Sequence, residues 1–462
     1  MKKYYLILAG VIICLAIVHA CTNPGSGGKN DSEVVGAPEM PLATFKAIDM
    51  PATLANGDAF PTDSNTIDGW LKEPTVVDGL ETDPRVIGHA WGLWAALTEM
   101  TDQQYNGRNL RRFETWYTPQ DVMTAMDQNT SLSDLERTDG KLQFRKKFDF
   151  GHDANLKPAA GDISGKVKYS PGMAEQALAG RYFDEAVLKA KIVENEINTV
   201  NFKPNAVMLK PIYRVLTSTS QVEGKENTYY FHLWTGKQDG GKEDSLFSKI
   251  VNVTTNPDDP SIDNVDTYSI DAFIHHRMSE AEAYTYNNSS KEGQEFKDTA
   301  HVGDPVIFLG CHVSTRETQR WTWQSFYWTE NPDNPVFPSS STIAEGRKGL
   351  GLSAPADHYA VSIGYSMMSP ALPFEGEPVD IMNANVSPVY ALNPYIEGTF
   401  DKTVYPRQDS FYTGDYAKQF YVGNVDGITS SCMSCHSQSY YNGQSLQTAA
   451  AGFLADQYIN RN

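Results

Sequence analysis

Near its C-terminus the chain reads Cys432-Met433-Ser434-Cys435-His436, a C-x-x-C-H spacing that dictates its own local fold. Two thiols three positions apart on one helical turn reach the two vinyl groups of one porphyrin, and the adjacent imidazole turns to the iron. Ser430 or Ser431 is expected to cap that short helix. The spacing therefore reads as one covalent haem c, with Cys432 and Cys435 as thioether anchors and His436 as an axial ligand. Two other chemistries use paired cysteines. A zinc site needs a second pair of Cys or His at similar spacing, and the sequence has none. A thioredoxin-like redox pair follows a strand and opens a long helix, whereas Gly423-Asn424-Val425-Asp426-Gly427 reads as a turn. No second C-x-x-C-H occurs, so electrons are expected to leave to a redox partner protein.

Such haem attachment takes place outside the cytoplasm, and the N-terminus carries an address of that kind. Lys2 and Lys3 precede an apolar stretch over residues 4–18 that ends in Val18-His19-Ala20-Cys21. A positive head, an apolar middle and a small residue before the cut make a secretory signal. The run is short for a membrane span of about 20 residues. Cys21 after the small residue is the pattern of a bacterial lipoprotein, with Cys21 lipidated; His19 departs from it, since that slot is usually small. Residues 1–20 are thus expected to be a lipoprotein signal peptide. Residues 21–45, rich in Gly, Pro, Ser and Asn at their start, are expected to be a flexible tether. The protein is placed in the periplasm or at the outer membrane, held to the membrane through its lipid.

Composition removes other classes. With 462 residues, 40% hydrophobic and 11% aromatic, the chain is too apolar for disorder, and with 21% charged residues it is too polar for a multispanning membrane protein. Five cysteines cannot build a dense disulfide scaffold. A formal charge of -19 argues against nucleic acid, which needs clustered Lys and Arg. That acidity favours solubility and would steer a basic redox partner.

The fold class is α+β. The first half reads as mainly helical. Val86, Ala90, Trp91, Trp94 and Leu97 recur at helical spacing over residues 84–100. Thr118-Pro119-Gln120-Asp121 and Ser170-Pro171 are helix starts, and residues 184–195 form a further helix. The middle turns β-rich, with strands over residues 206–216, 228–235, 267–273, 305–313 and 320–327. Residues 256–266, rich in Asp, Asn and Pro, lack EF-hand spacing and read as a turn. Residues 46–400 make one large domain, and residues 401–462 a small C-terminal helical segment that carries the haem.

Several stretches resemble a family of large, largely uncharacterised single-haem cytochrome c-like proteins of the bacterial cell exterior. They include Phe113-Glu114-Thr115-Trp116-Tyr117-Thr118-Pro119, residues 202–210, Gly310-Cys311-His312-Val313-Ser314-Thr315-Arg316-Glu317, residues 321–328, Asn393-Pro394-Tyr395 and residues 427–436. The resemblance covers most of the mature chain. It implies covalent haem and an extracytoplasmic place, and no substrate. Cys311 departs from the pattern, where an apolar residue is expected; a buried free cysteine behaves as a small hydrophobe.

The far side of the iron decides between carrier and enzyme. Residues 437–462 contain neither Met nor His, so a second ligand from this chain has to lie upstream. Met433, between the two anchors, is poorly placed for it. Met367 and Met368 stand beside Pro370, and His312 lies in a β-like run; these three are the distal candidates, each also readable as a core residue. His275 and His276 alternate faces on a strand. His89, His152, His232, His301 and His358 stand alone. Trp321, Trp323, Phe326, Tyr327 and Trp328 read as core or as a haem wall. The first reading is a lipid-anchored electron-transfer cytochrome. The second is a haem oxidoreductase with an open iron, acting on peroxide, a nitrogen oxide or a small organic substrate. Size favours the second, since about 100 residues suffice around one haem.

Overall fold

Residues 305–328 are dominated by β-branched, aromatic and small side chains, and they form the centre of the main sheet. The computed structural model describes residues 38–72, 75–140, 142–145, 162–187, 190, 202–236, 247–262, 264, 266–288, 298–318, 321–369, 385–386 and 389–397. The signal, residues 21–37 of the expected tether and the haem motif lie outside the described residues, as does most of the helix expected over residues 184–195. The end of the expected tether is described, and there Ala43 bridges to Arg137 and Phe45 is buried against Tyr105 and Leu110.

Among the described residues the main sheet has eight strands: β1 (Leu142–Arg145), β2 (Asp162–Gly165), β3 (Lys168–Tyr169), β4 (Val207–Val215), β5 (His275–Arg277), β6 (Pro305–Thr315), β7 (Thr322–Trp328) and β8 (Tyr359–Ile363). Their order is β8–β7–β6–β4–β2–β1, with β5 beside β6 and β3 beside β4, and every pair is antiparallel. Strands β6 and β7 are buried along almost their whole length, because both faces of the sheet are covered. One edge of β4 pairs with β2 at Ile212–Arg214 and with β3 at Met208 and Leu209. Pro211, which has no N–H to give, falls where that edge changes partner. A three-stranded sheet made of Thr228–Leu233, Lys249–Thr254 and Thr267–Ser269 packs into the same core.

Helix α1 (Ser64–Leu71) starts at Asp63, and helix α2 (Pro84–Thr98) starts at Asp83 with Pro84 in its first turn. Helix α2 is buried on nearly every side, since apolar residues surround its axis. It lies on the sheet through Trp94, whose ring stacks on Phe326 at 4.5 Å and meets Tyr359 at 5.1 Å. The indole N–H groups of Trp91 and Trp94 donate to the Ile343 and Ala356 carbonyls, so neither is left unpaired in the core. The opposite face is closed by residues 389–397. There the Ser362 hydroxyl donates to the Leu392 carbonyl at 2.8 Å and Asn393 Nδ2 donates to the Phe326 carbonyl at 3.0 Å.

Helix α3 (Pro119–Gln128) begins with the reciprocal cap of Thr118 and Asp121, and helix α4 (Pro171–Ala179) begins at Ser170. The architecture is α+β, but the described first half is not mainly helical. Hairpins at Val76–Val77/Leu80–Glu81 and Met100–Tyr105/Arg108–Arg111 stand between the helices. Their turns are Asp78-Gly79 and Asn106-Gly107, all four residues at positive φ, which is what a two-residue hairpin turn needs.

Candidate functional site

Of the residues singled out in the sequence, Cys21, Cys432, Cys435 and His436 lie outside the described residues. The three distal candidates fall on the β6–β8 part of the sheet or just after it. His312 sits on β6, opposite Lys210 of β4 and Ser325 of β7, on the face closed by residues 389–397. Its Nδ1 lies 2.5 Å from Ser325 Oγ and its Nε2 lies 2.5 Å from Glu397 Oε1. Burial alone would raise the Glu397 carboxyl, but the facing His312, the Asn393 N–H and Lys210 hold it below the ordinary range. Both ring nitrogens of His312 are therefore engaged, and binding of iron at either would displace a hydrogen-bond partner. The Ser–His–Glu order resembles a nucleophilic triad, yet Ser325 is wholly buried in mid-strand, where no substrate carbonyl can reach it.

Met367 is 1% exposed, and its sulfur lies 2.8 Å from where a Cβ on Gly364 would stand. Met368 pairs with Val386 in a two-residue ladder. Cys311 is a free, buried thiol on the other face of β6, opposite Phe326, and burial pushes it well above the ordinary range. Phe326 and Trp328 of the aromatic run are core residues: Phe326 lies under α2, and Trp328 stacks on Phe273 at 4.4 Å.

Two buried polar clusters were not foreseen from the sequence. The first joins α2 to the far ends of β6, β7 and β8. His89 Nδ1 lies 2.7 Å from the Tyr365 hydroxyl and His89 Nε2 lies 3.3 Å from Glu317 Oε1. Glu317 also accepts the Thr62 N–H at 2.7 Å and the Thr315 hydroxyl at 2.5 Å. Next to it, Glu81 takes the backbone N–H groups of Tyr365 at 2.5 Å and Ser366 at 2.8 Å. Burial pushes Glu81 up to about 7 against those hydrogen bonds. The signal that could have found this cluster is His89 itself, an ionisable residue on the otherwise apolar face of a helix.

The second cluster surrounds Lys168 of β3. Its ammonium donates to the Asp139, Trp116 and Glu114 carbonyls. Arg108 pairs with the Glu114 and Asp139 carboxylates at 3.0 Å each. Burial pushes Lys168 down to about 7. These buried groups tie β3 to the segments on either side of α3.

A cavity of about 220 Å³ lies at the end of β7, lined by Trp234, Tyr327, Trp328, Glu330 and Asn334 among others. That is below the roughly 300–1,000 Å³ of most ligand pockets. Among the described residues no three His, Cys, Asp or Glu side chains converge as a metal site, and no helix is long and apolar enough to cross a membrane. Compared with family models, curated proteins and solved structures, the chain matches none.

Proposed function

We propose that the chain is an extracytoplasmic, lipid-anchored c-type cytochrome that binds one haem covalently and transfers electrons to a partner protein. The observation that carries this reading is Cys432-Met433-Ser434-Cys435-His436 in a chain whose first residues have the pattern of an export signal. Cys432 and Cys435 would hold the porphyrin through thioethers, and His436 would hold the iron. Bound haem would supply a one-electron Fe(III)/Fe(II) couple, and the chain's part would be to orient His436 and exclude water. The haem motif falls within residues 401–462, which the sequence leads one to expect as a helical segment. Cys21 carries the lipid, and the resemblance to single-haem cytochrome c-like proteins agrees with both.

The second reading is a haem oxidoreductase with one side of the iron open. It is favoured by the state of two distal candidates, since His312 has both ring nitrogens engaged and Met367 is packed away. Absorption spectra of the purified protein, oxidised and reduced, with and without carbon monoxide, separate the two. A low-spin spectrum unmoved by carbon monoxide supports the carrier, and Met367→Ala, Met368→Ala or His312→Ala then identifies the ligand by perturbing it. A high-spin spectrum that shifts with carbon monoxide supports the enzyme.

A further inference from the structure

His89, Glu317 and Tyr365 make a line of hydrogen bonds sealed inside the molecule: His89 and Glu317 are fully buried and Tyr365 is 6% exposed. The direction of the line follows from its partners. Glu317 accepts from Thr62 and Thr315, and its Oε1 faces His89 Nε2, so Nε2 is the nitrogen that carries the proton. The Nδ1 lone pair then faces the Tyr365 hydroxyl at 2.7 Å, and the Thr322 hydroxyl, the other partner of that phenol, is the acceptor it competes with. A carboxylate that orients a histidine against a hydroxyl is a general-base arrangement. Burial keeps every substrate away from this one. An electron needs no opening, and a phenol gives one up far more readily when its proton can leave at the same moment.

We propose that Tyr365 is a redox-active tyrosine, a one-electron donor inside the protein whose phenolic proton moves to His89 Nδ1 as the electron leaves. The Tyr365 O–H bond breaks and an N–H bond forms on His89. One electron passes to an outer-sphere oxidant, which is reduced by one unit. Tyr365 becomes a neutral phenoxyl radical, and the Glu317 carboxylate balances the new imidazolium. Return of one electron sends the proton back. Trp70, 8% exposed, lies edge-on to His89 with ring centroids 5.8 Å apart and offers the oxidising equivalent a way in from the surface. In use the oxidant would be peroxide acting at the haem, so the physiological role rests on the second reading above, the haem oxidoreductase with an open iron. The site itself does not.

The test uses photogenerated tris(bipyridine)ruthenium(III), a one-electron oxidant in solution, on the full chain, with the tyrosyl radical followed by freeze-quench paramagnetic resonance and transient absorption. The chain has 24 Tyr, so the assignment is made by difference. The expected result is a slowly decaying, hydrogen-bonded tyrosyl signal that Tyr365→Phe removes and that His89→Gln, unable to take the proton, forms on the order of a hundredfold more slowly. Glu317→Gln keeps an acceptor oxygen but not the charge, and it is expected to shorten the radical's life while leaving the far-UV circular dichroism unchanged. Identical signals from wild type and a folded Tyr365→Phe would overturn the proposal. The same measurement on the Cys432→Ala, Cys435→Ala variant separates the two readings. Wild type that lacks covalent haem yet shows the Tyr365 signal overturns the cytochrome reading alone. Covalent haem without that signal overturns this inference alone.

Discussion

Glu81 holds the amides of Tyr365 and Ser366 from a fully buried place, and its carboxyl is pushed up to about 7 from an ordinary value of 4.5. Between those two values the folded protein keeps a proton that the unfolded chain releases. Its contribution to stability is therefore fully present below about 4.5 and is lost as pH rises through about 7. Urea denaturation at about pH 5 and pH 8 is expected to give a smaller unfolding free energy at the higher pH. Glu81→Gln, which cannot ionise, is expected to flatten that difference; an equal difference in both proteins would remove Glu81 as its source. The site residues show how far single positions can be read. His312 stood out because it interrupts a β-like run, but its partner Glu397 is 85 residues away and no local pattern announces it. His89 looked like a lone histidine for the same reason. Its partners Tyr365 and Glu317 come from segments that only the folded sheet brings to α2.

At the scale of elements, Gly310 marks the irregularity where β6 shifts register against β4. A Cβ there would lie 2.2 Å from the Phe326 carbonyl oxygen, a backbone atom that cannot swing aside. Gly310→Ala is expected to cost about 1–3 kcal/mol, as overpacking of a core does. A denaturation midpoint unchanged from wild type would show that the strands separate there at little cost. The helices α2, α3 and α4 were legible because each opens with its own chemistry: Asp83-Pro84, Thr118-Pro119 with Asp121, and Ser170-Pro171. The strands of the first half were less so, although Asp78-Gly79 and Asn106-Gly107 are ordinary hairpin signals. Strand β8 was passed over because Tyr359–Ile363 is buried at every position and so lacks the alternation that betrays a strand. The strand expected over residues 267–273 stops at Ser269, where the Ser269 hydroxyl accepts from the Asp271 N–H and turns the chain into a short 3-10 helix.

For the molecule as a whole, the proposed function places the five cysteines in four states. Cys311 is buried and free, and the proposed function would remove Cys14 with the signal, place lipid on Cys21 and place haem on Cys432 and Cys435. Thiol titration of the exported protein is expected to find no reactive thiol in the native state and one after denaturation under reducing conditions. Three after denaturation would mean that the C-x-x-C pair never met a porphyrin. The central claim is the covalent haem, and its most direct test is a peroxidase-activity stain of the protein on a denaturing gel, beside the Cys432→Ala, Cys435→Ala variant. The account predicts a stained band for the wild type that survives denaturation and is absent from the double variant. A wild-type band without stain, from cells able to attach haem c, would contradict it.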